Sequence, residues 1–178
     1  MVQKERINRK QVAIGVFLWL CLFVLVISIS YFPLSSNKAV ALPFLDTNRE
    51  KAVLFFGYRS CGDICPTTLI QLNRIVKSWP QTSQAPEVVF IDIDRNSDSA
   101  SASRYAQGFN PGFIGYHPSP AELKQLSADF GLNFKQDGNN IAHRGRTYLV
   151  EESRGEWRLT KTYNPNKFSI DKLTSEHL

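Results

Sequence analysis

The sequence predicts an α/β fold, a mixed β-sheet flanked by helices and preceded by one N-terminal transmembrane helix. Three observations predict it. Residues 12–34 are apolar apart from scattered small polar residues, and no charge occurs between residues 11 and 37. Beyond them, short continuous apolar runs alternate with stretches of helical periodicity, the pattern of strands covered on both faces by helices. The chain then carries two apolar runs separated by a charged turn, which reads as a hairpin.

The first element is the apolar segment. Roughly 23 residues at about 1.5 Å of rise each span about 35 Å, enough for a hydrocarbon core of about 30 Å. Lys4, Arg6, Arg9 and Lys10 precede it, so the positive-inside rule holds the N-terminus in the cytoplasm and exports the rest, while Tyr31 and Phe32 suit an aromatic belt at the far end. A cleaved signal peptide has a shorter apolar region, and the candidate cleavage site Ala39-Val40-Ala41 follows Asn37 and Lys38 and lies just before Pro43. A lipoprotein reading on Cys21 meets Trp19 and Leu20 where small residues are needed. The expected organisation is therefore a basic cytoplasmic tail over 1–10, an uncleaved single-pass anchor over 11–34 in a bacterial inner membrane, a linker over 35–51 and a periplasmic domain over 52–178.

The formal net charge of +5 belongs largely to the tail. Lys4, Arg6, Arg9 and Lys10 against Glu5 leave +3, Lys38 adds one, and the remainder carries +1. With no basic cluster on the domain, a nucleic-acid surface is set aside. Apolar residues make up 43% of the chain, which supports a hydrophobic core and argues against disorder.

Within the domain, residues 52–58 (AVLFFGY) form a buried strand, and the cysteine segment follows at once. Pro66 suits the first turn of a helix and biases Cys65 away from helical geometry; Leu69, Leu72, Val76 and Trp79 then recur at helical spacing until Pro80. Residues 88–94 (VVFIDID) are a second strand, 102–107 a short helix, and 113–116 a third strand. Ser119, Pro120 and Glu122 form a capping box with proline at the first helical position, and Gly131 closes that helix. Residues 147–150 and 157–163 pair across a turn containing Gly155, and 167–176 suit a final short helix.

Cys61 and Cys65 flank a tight turn containing Gly62 and Asp63, at the carboxyl end of a strand and just ahead of a helix, where ligands bind in open α/β sheets. The positive end of the helix dipole predicts lowered pKa values for both thiols. A thiolate either attacks a disulfide or binds a soft metal, and two on one turn make a chelate for Cu(I); an imidazole as third ligand also suits Cu(II). The competing reading is a local disulfide that stiffens the loop. Cys21, mid-span, is a buried apolar side chain.

Residues 56–66 (FGYRSCGDICP) resemble the signature of the Sco/SenC copper chaperones. Residues 93–98 (IDRNSD) are similar to that family's acidic segment, 105–115 to its phenylalanine- and glycine-containing stretch, and 143–150 (HRGRTYLV) to the segment with its distant histidine. The resemblance covers roughly residues 52–165 and implies a thioredoxin-like fold. It also implies copper binding by Cys61, Cys65 and His143, and assistance to the dinuclear copper centre of cytochrome c oxidase subunit II, by ligand exchange rather than turnover. Asp94 and Asp98 match the family's acidic positions, with a supporting or partner-facing role as one reading and a solvated loop as the other. The chain departs from the family at Ser60, Gly62, Ala142 and Arg144, and its stretch before Ala52 is short for the family's N-terminal strands. His117 and His177 are assigned to no site, and Arg59 is read as a surface residue. The alternative function is a thiol–disulfide oxidoreductase or redox sensor using the Cys61/Cys65 pair, with Cys61 as attacker.

Overall fold

A computed structural model describes residues 9–31, 37–46, 48–80, 83–137, 140–142 and 145–165, and the chain divides into two units, Met1–Ser35 and Ser36–Leu178. The first holds the helix α1 (Arg9–Tyr31). Its described apolar side chains, Phe17, Leu18 and Trp19 among them, are exposed. Among the described residues no helix is long and apolar enough to cross a membrane.

The second unit runs β1 (Lys38–Val40), β2 (Lys51–Gly57), α2 (Ile64–Lys77), β3 (Glu87–Asp92), α3 (Ser99–Gln107), β4 (Ile114–Tyr116), α4 (Pro120–Phe130), β5 (Lys135–Asp137), β6 (Asn140–Ala142), β7 (Thr147–Ser153) and β8 (Glu156–Tyr163). Six strands form one sheet in the order β1-β8-β7-β2-β3-β4, and β5 pairs with β6 in a separate hairpin. β2, β3 and β4 are parallel, while β7 runs antiparallel to β2 and β8. Parallel neighbours need crossovers, and α2 and α3 supply them.

The apolar runs of β2 and β3 work in two directions. Val53, Phe55, Val88 and Phe90 face α2 and α3 with Leu69, Leu72 and Ala106, whereas Leu54, Phe56, Val89 and Ile91 face α4 with Leu123, Leu126 and Phe130. Alternate residues of a strand point to opposite faces, so a strand covered twice must be apolar throughout. Each fully buried Phe or Leu contributes about 1.5–3 kcal/mol.

Several local features match the sequence signals. The Ser119–Glu122 capping box forms with both bonds present, and Gly131 ends α4 at φ +60°. Arg154 and Gly155 both take positive φ between β7 and β8, the backbone of a two-residue hairpin turn. Two features differ from the sequence expectation. Residues 38–45, within the expected linker, carry β1 and the buried Leu42 and Leu45, because β1 finds the free edge of β8, with Ala39 opposite Arg158. Cys65 lies inside the first turn of α2, not ahead of it: α2 begins at Ile64, and Pro66 is its third residue, where the backbone N–H has no helical partner to lose. The expected helix over 167–176 lies outside the described residues.

Candidate functional site

The site is built at the carboxyl end of β2. After Gly57 the chain turns sharply, with the Cys61 N–H donating to the Tyr58 carbonyl at 3.2 Å, and enters α2 through Asp63. Cys65 is fully buried on α2 and Cys61 is half-buried on the turn; both are free thiols. Gly57 makes room for them, since a Cβ there would lie 2.9 Å from Cys65 Sγ. Gly62 faces open space.

The two thiols are unequal. Desolvation pushes Cys61 up, but it is outweighed by a hydrogen bond with the Cys65 thiol and by the N–H groups of Cys65, Asp63 and Ile64, so Cys61 falls below the ordinary thiol value. The Cys65 thiol is pushed far up, first by burial and then by its bond to Cys61, against a backbone bond from Tyr58 that favours the thiolate. The expectation of two lowered thiols therefore holds for Cys61 and fails for Cys65. Burial defeats the helix dipole there.

Three further residues surround the pair. Tyr58 and Tyr105 are both held above the ordinary phenol range, first by desolvation and then by the nearby thiols, Tyr105 to about 12. Asp92, fully buried at the end of β3, accepts Ser97 Oγ at 2.6 Å and the Asp94 N–H at 3.2 Å, and pairs with Arg59 Nε at 3.5 Å. Arg59, read from the sequence as a surface residue, is thus tied to a buried carboxylate. Burial raises Asp92 above the usual carboxylate value, against the opposing pull of Ser97, the Asp94 N–H and Arg59. Sequence reasoning passed over Asp92, although strand parity marks it: it shares the face of Phe90, which is core.

His143, with Arg144 beside it, lies outside the described residues, so its distance from the thiols is not part of the geometry. Its neighbours are informative. β6 ends at Ala142, and Gly145, at φ +57°, passes so close to α2 that a Cβ would lie 2.5 Å from Ile64 Cγ2. Ile64 is the residue before Cys65. The chain two residues from His143 is therefore packed on the cysteine segment.

The acidic candidates separate. Asp98 is the N-cap of α3, its two oxygens accepting the Ser101 N–H at 2.7 Å and Ser101 Oγ at 3.0 Å. Asp94 accepts the Asn96 N–H at 3.0 Å, and its carbonyl accepts His117 Nε2 at 3.0 Å. Among the described residues no group of three or more His, Cys, Asp and Glu side chains is arranged to hold a metal ion. Cys61 and Cys65 supply two soft sulfur donors, a fit for a soft or borderline metal that a third ligand would complete.

A dithiol turn between a central parallel strand and its crossover helix, on a mixed sheet of this order, defines a thioredoxin-like protein with thiol chemistry at its sheet end. The SCO1/SenC family profile matches residues 32–176, and the chain belongs to that family. A mitochondrial SCO2 homologue of Danio rerio is 37% identical over 104 residues, covering 57% of this chain and 36% of that protein. The chain spans 36–54% of the length of the first three curated relatives it matches. Among solved structures, apo Sco1 of Thermus thermophilus has 31% identity and a TM-score of 0.58 over 67% of this chain and 72% of its own. Arabidopsis thaliana ScoI with copper bound has 26% identity and a TM-score of 0.60 over 71% and 80%.

Proposed function

We propose that this protein is a membrane-anchored copper metallochaperone: it holds one copper ion with Cys61, Cys65 and His143 and delivers it to the copper centre of cytochrome c oxidase, with subunit II as recipient. The observation that supports this reading is the packing of Gly145, two residues after His143, on Ile64, the residue before Cys65. Family membership and the copper in the Arabidopsis structure support the identity of the metal. Because the thiol pair is soft, Cu(I) suits the sulfurs, and the imidazole extends the set to Cu(II).

The test is anaerobic reconstitution of the reduced, detergent-solubilised full chain with Cu(I), followed by metal analysis. One copper per chain is expected, lost on Cys61→Ser or Cys65→Ser and sharply weakened by His143→Ala, with Cys61 and Cys65 still titrating as free thiols in the last variant. Wild-type copper retention by His143→Ala overturns the three-ligand site.

The anchor reading rests on residues 12–34 and on the basic tail before them, with the domain on the periplasmic side of a bacterial inner membrane. It predicts that the protein stays in the membrane pellet after alkaline carbonate washing; release into the supernatant would exclude the anchor.

A second reading is favoured by the inequality of the thiols. A half-buried Cys61 with a lowered pKa beside a buried Cys65 is the arrangement of an attacking and a resolving cysteine. Disulfide reduction of a partner that survives in His143→Ala would favour it.

A further inference from the structure

Beyond β3 the chain lines a groove of about 460 Å³ that includes neither cysteine of the copper reading. That volume lies within the roughly 300–1,000 Å³ of ordinary binding sites. Its floor is apolar: Ile93, Leu123, Leu132 and Phe134 line it, and all four belong to or pack on the α4-side core. Its rim carries two cations, Arg95 and Lys124. Asp94, the acid among the described lining residues, has its carboxylate on the Asn96 N–H and its carbonyl on His117, so it is engaged with its own loop. Lys124 is exposed and makes no ion pair among the described residues.

An apolar floor with a cationic rim is complementary to a segment that carries carboxylates around an apolar side chain. The groove and the cysteine turn share the carboxyl end of the sheet, on opposite faces. The Ile93 N–H donates to the Gly57 carbonyl at 2.8 Å, and Gly57 is the residue that abuts Cys65 Sγ. A segment seated there would be held at the same carboxyl end of the sheet as the cysteine turn.

We propose that this groove docks an acidic, apolar-tipped segment of a protein partner, with the apolar side chain on the Ile93–Leu132 floor and its flanking carboxylates against Lys124. Docking needs no copper, so it stands or falls separately from the metal site.

The test uses the metal-free full chain in detergent micelles and a fluorescein-labelled, end-blocked peptide, Glu-Asp-Leu-Asp-Glu, followed by anisotropy. Saturable binding is expected, with Lys124→Glu weakening it about tenfold and Lys124→Arg keeping it within about twofold. Methyl resonances of Leu123 and Leu132 are expected to shift on titration. The proposal is overturned if Lys124→Glu binds like the parent, if the methyl shifts fall elsewhere, or if the peptide with glycine for leucine binds as well. Competition by free glutamate at the peptide's own concentration would also overturn it, reassigning the groove to small anions.

Discussion

Gly57 and Cys65 are in contact across the strand–helix junction: a Cβ at residue 57 would stand 2.9 Å from the Cys65 sulfur, 2.9 Å from Phe90 Cε2 and 3.0 Å from Phe55 Cε1. None of these three can move freely, since all belong to buried side chains. Gly57→Ala is therefore expected to destabilise the domain by about 1–3 kcal/mol and to displace Cys65. Urea denaturation measures the first effect and the rate of Cys65 modification by a maleimide the second. Unchanged values in both would mean that the junction is looser than the packing implies.

The inequality of the thiols sets an order of reaction. Cys61 is half-buried with a lowered pKa, and Cys65 is buried with a raised one. In the reduced protein near neutral pH, iodoacetamide is expected to label Cys61 many times faster than Cys65, because the thiolate is the reacting species. The Cys61 rate is expected to rise with pH through a midpoint below that of an ordinary thiol. Peptide mass spectrometry after timed quenching reads both, and prior labelling of Cys65 would reverse the assignment.

Asp92 makes stability depend on pH in an unusual direction. Its folded-state pKa is raised, chiefly by burial, so its contribution is fully present below the unfolded carboxylate value of about 3.9 and is lost as pH rises through the folded value. Relative to Asp92→Asn, the parent is expected to lose stability as pH is raised from about 4 to 7. Paired urea titrations across that interval check the sign. A parent that gains on the variant over the same range would show that the bonds from Ser97 and Arg59 dominate.

Much of this was legible in the residues, and the failures share a physical cause. β2, β3 and α4 declare themselves because their signals are local: an unbroken apolar run, or a capping box with its glycine stop. β1 does not, since three residues become a strand only by meeting β8 about 120 positions later, and a short polar-flanked stretch carries no trace of that partner. The β5–β6 hairpin is hidden for the same reason of length. At the site, the cysteine turn was plain, but the raised Cys65 depended on burial, which spacing does not report. Asp92 could have been found by counting parity from Phe90.

Leu42 tests how far the domain extends. Its side chain is 4% exposed and belongs to the core on the α4 side, although the sequence around it reads as linker. Leu42→Ala is expected to cost about 2–5 kcal/mol, the loss typical of a buried leucine. A change below half a kcal/mol in chemical denaturation would return residues 38–45 to the linker.

Asp98 separates a capping role from a metal-supporting one. With both oxygens on Ser101, Asp98→Ala is expected to lower Tm by a few degrees through loss of the α3 cap while leaving copper stoichiometry and affinity unchanged. Asp98→Asn is expected to recover most of the lost Tm, since its side-chain carbonyl still accepts the Ser101 N–H. A large fall in copper affinity at constant Tm would give the residue back to the metal.

The sheet ends on both sides in strands of three residues, β1 and β4. Such borders present very few unpaired amides, too short a template for a neighbouring molecule to extend the sheet by adding its own strand. Recognition is thereby left to the loops at the carboxyl end, where side-chain chemistry can choose among partners and backbone adhesion cannot.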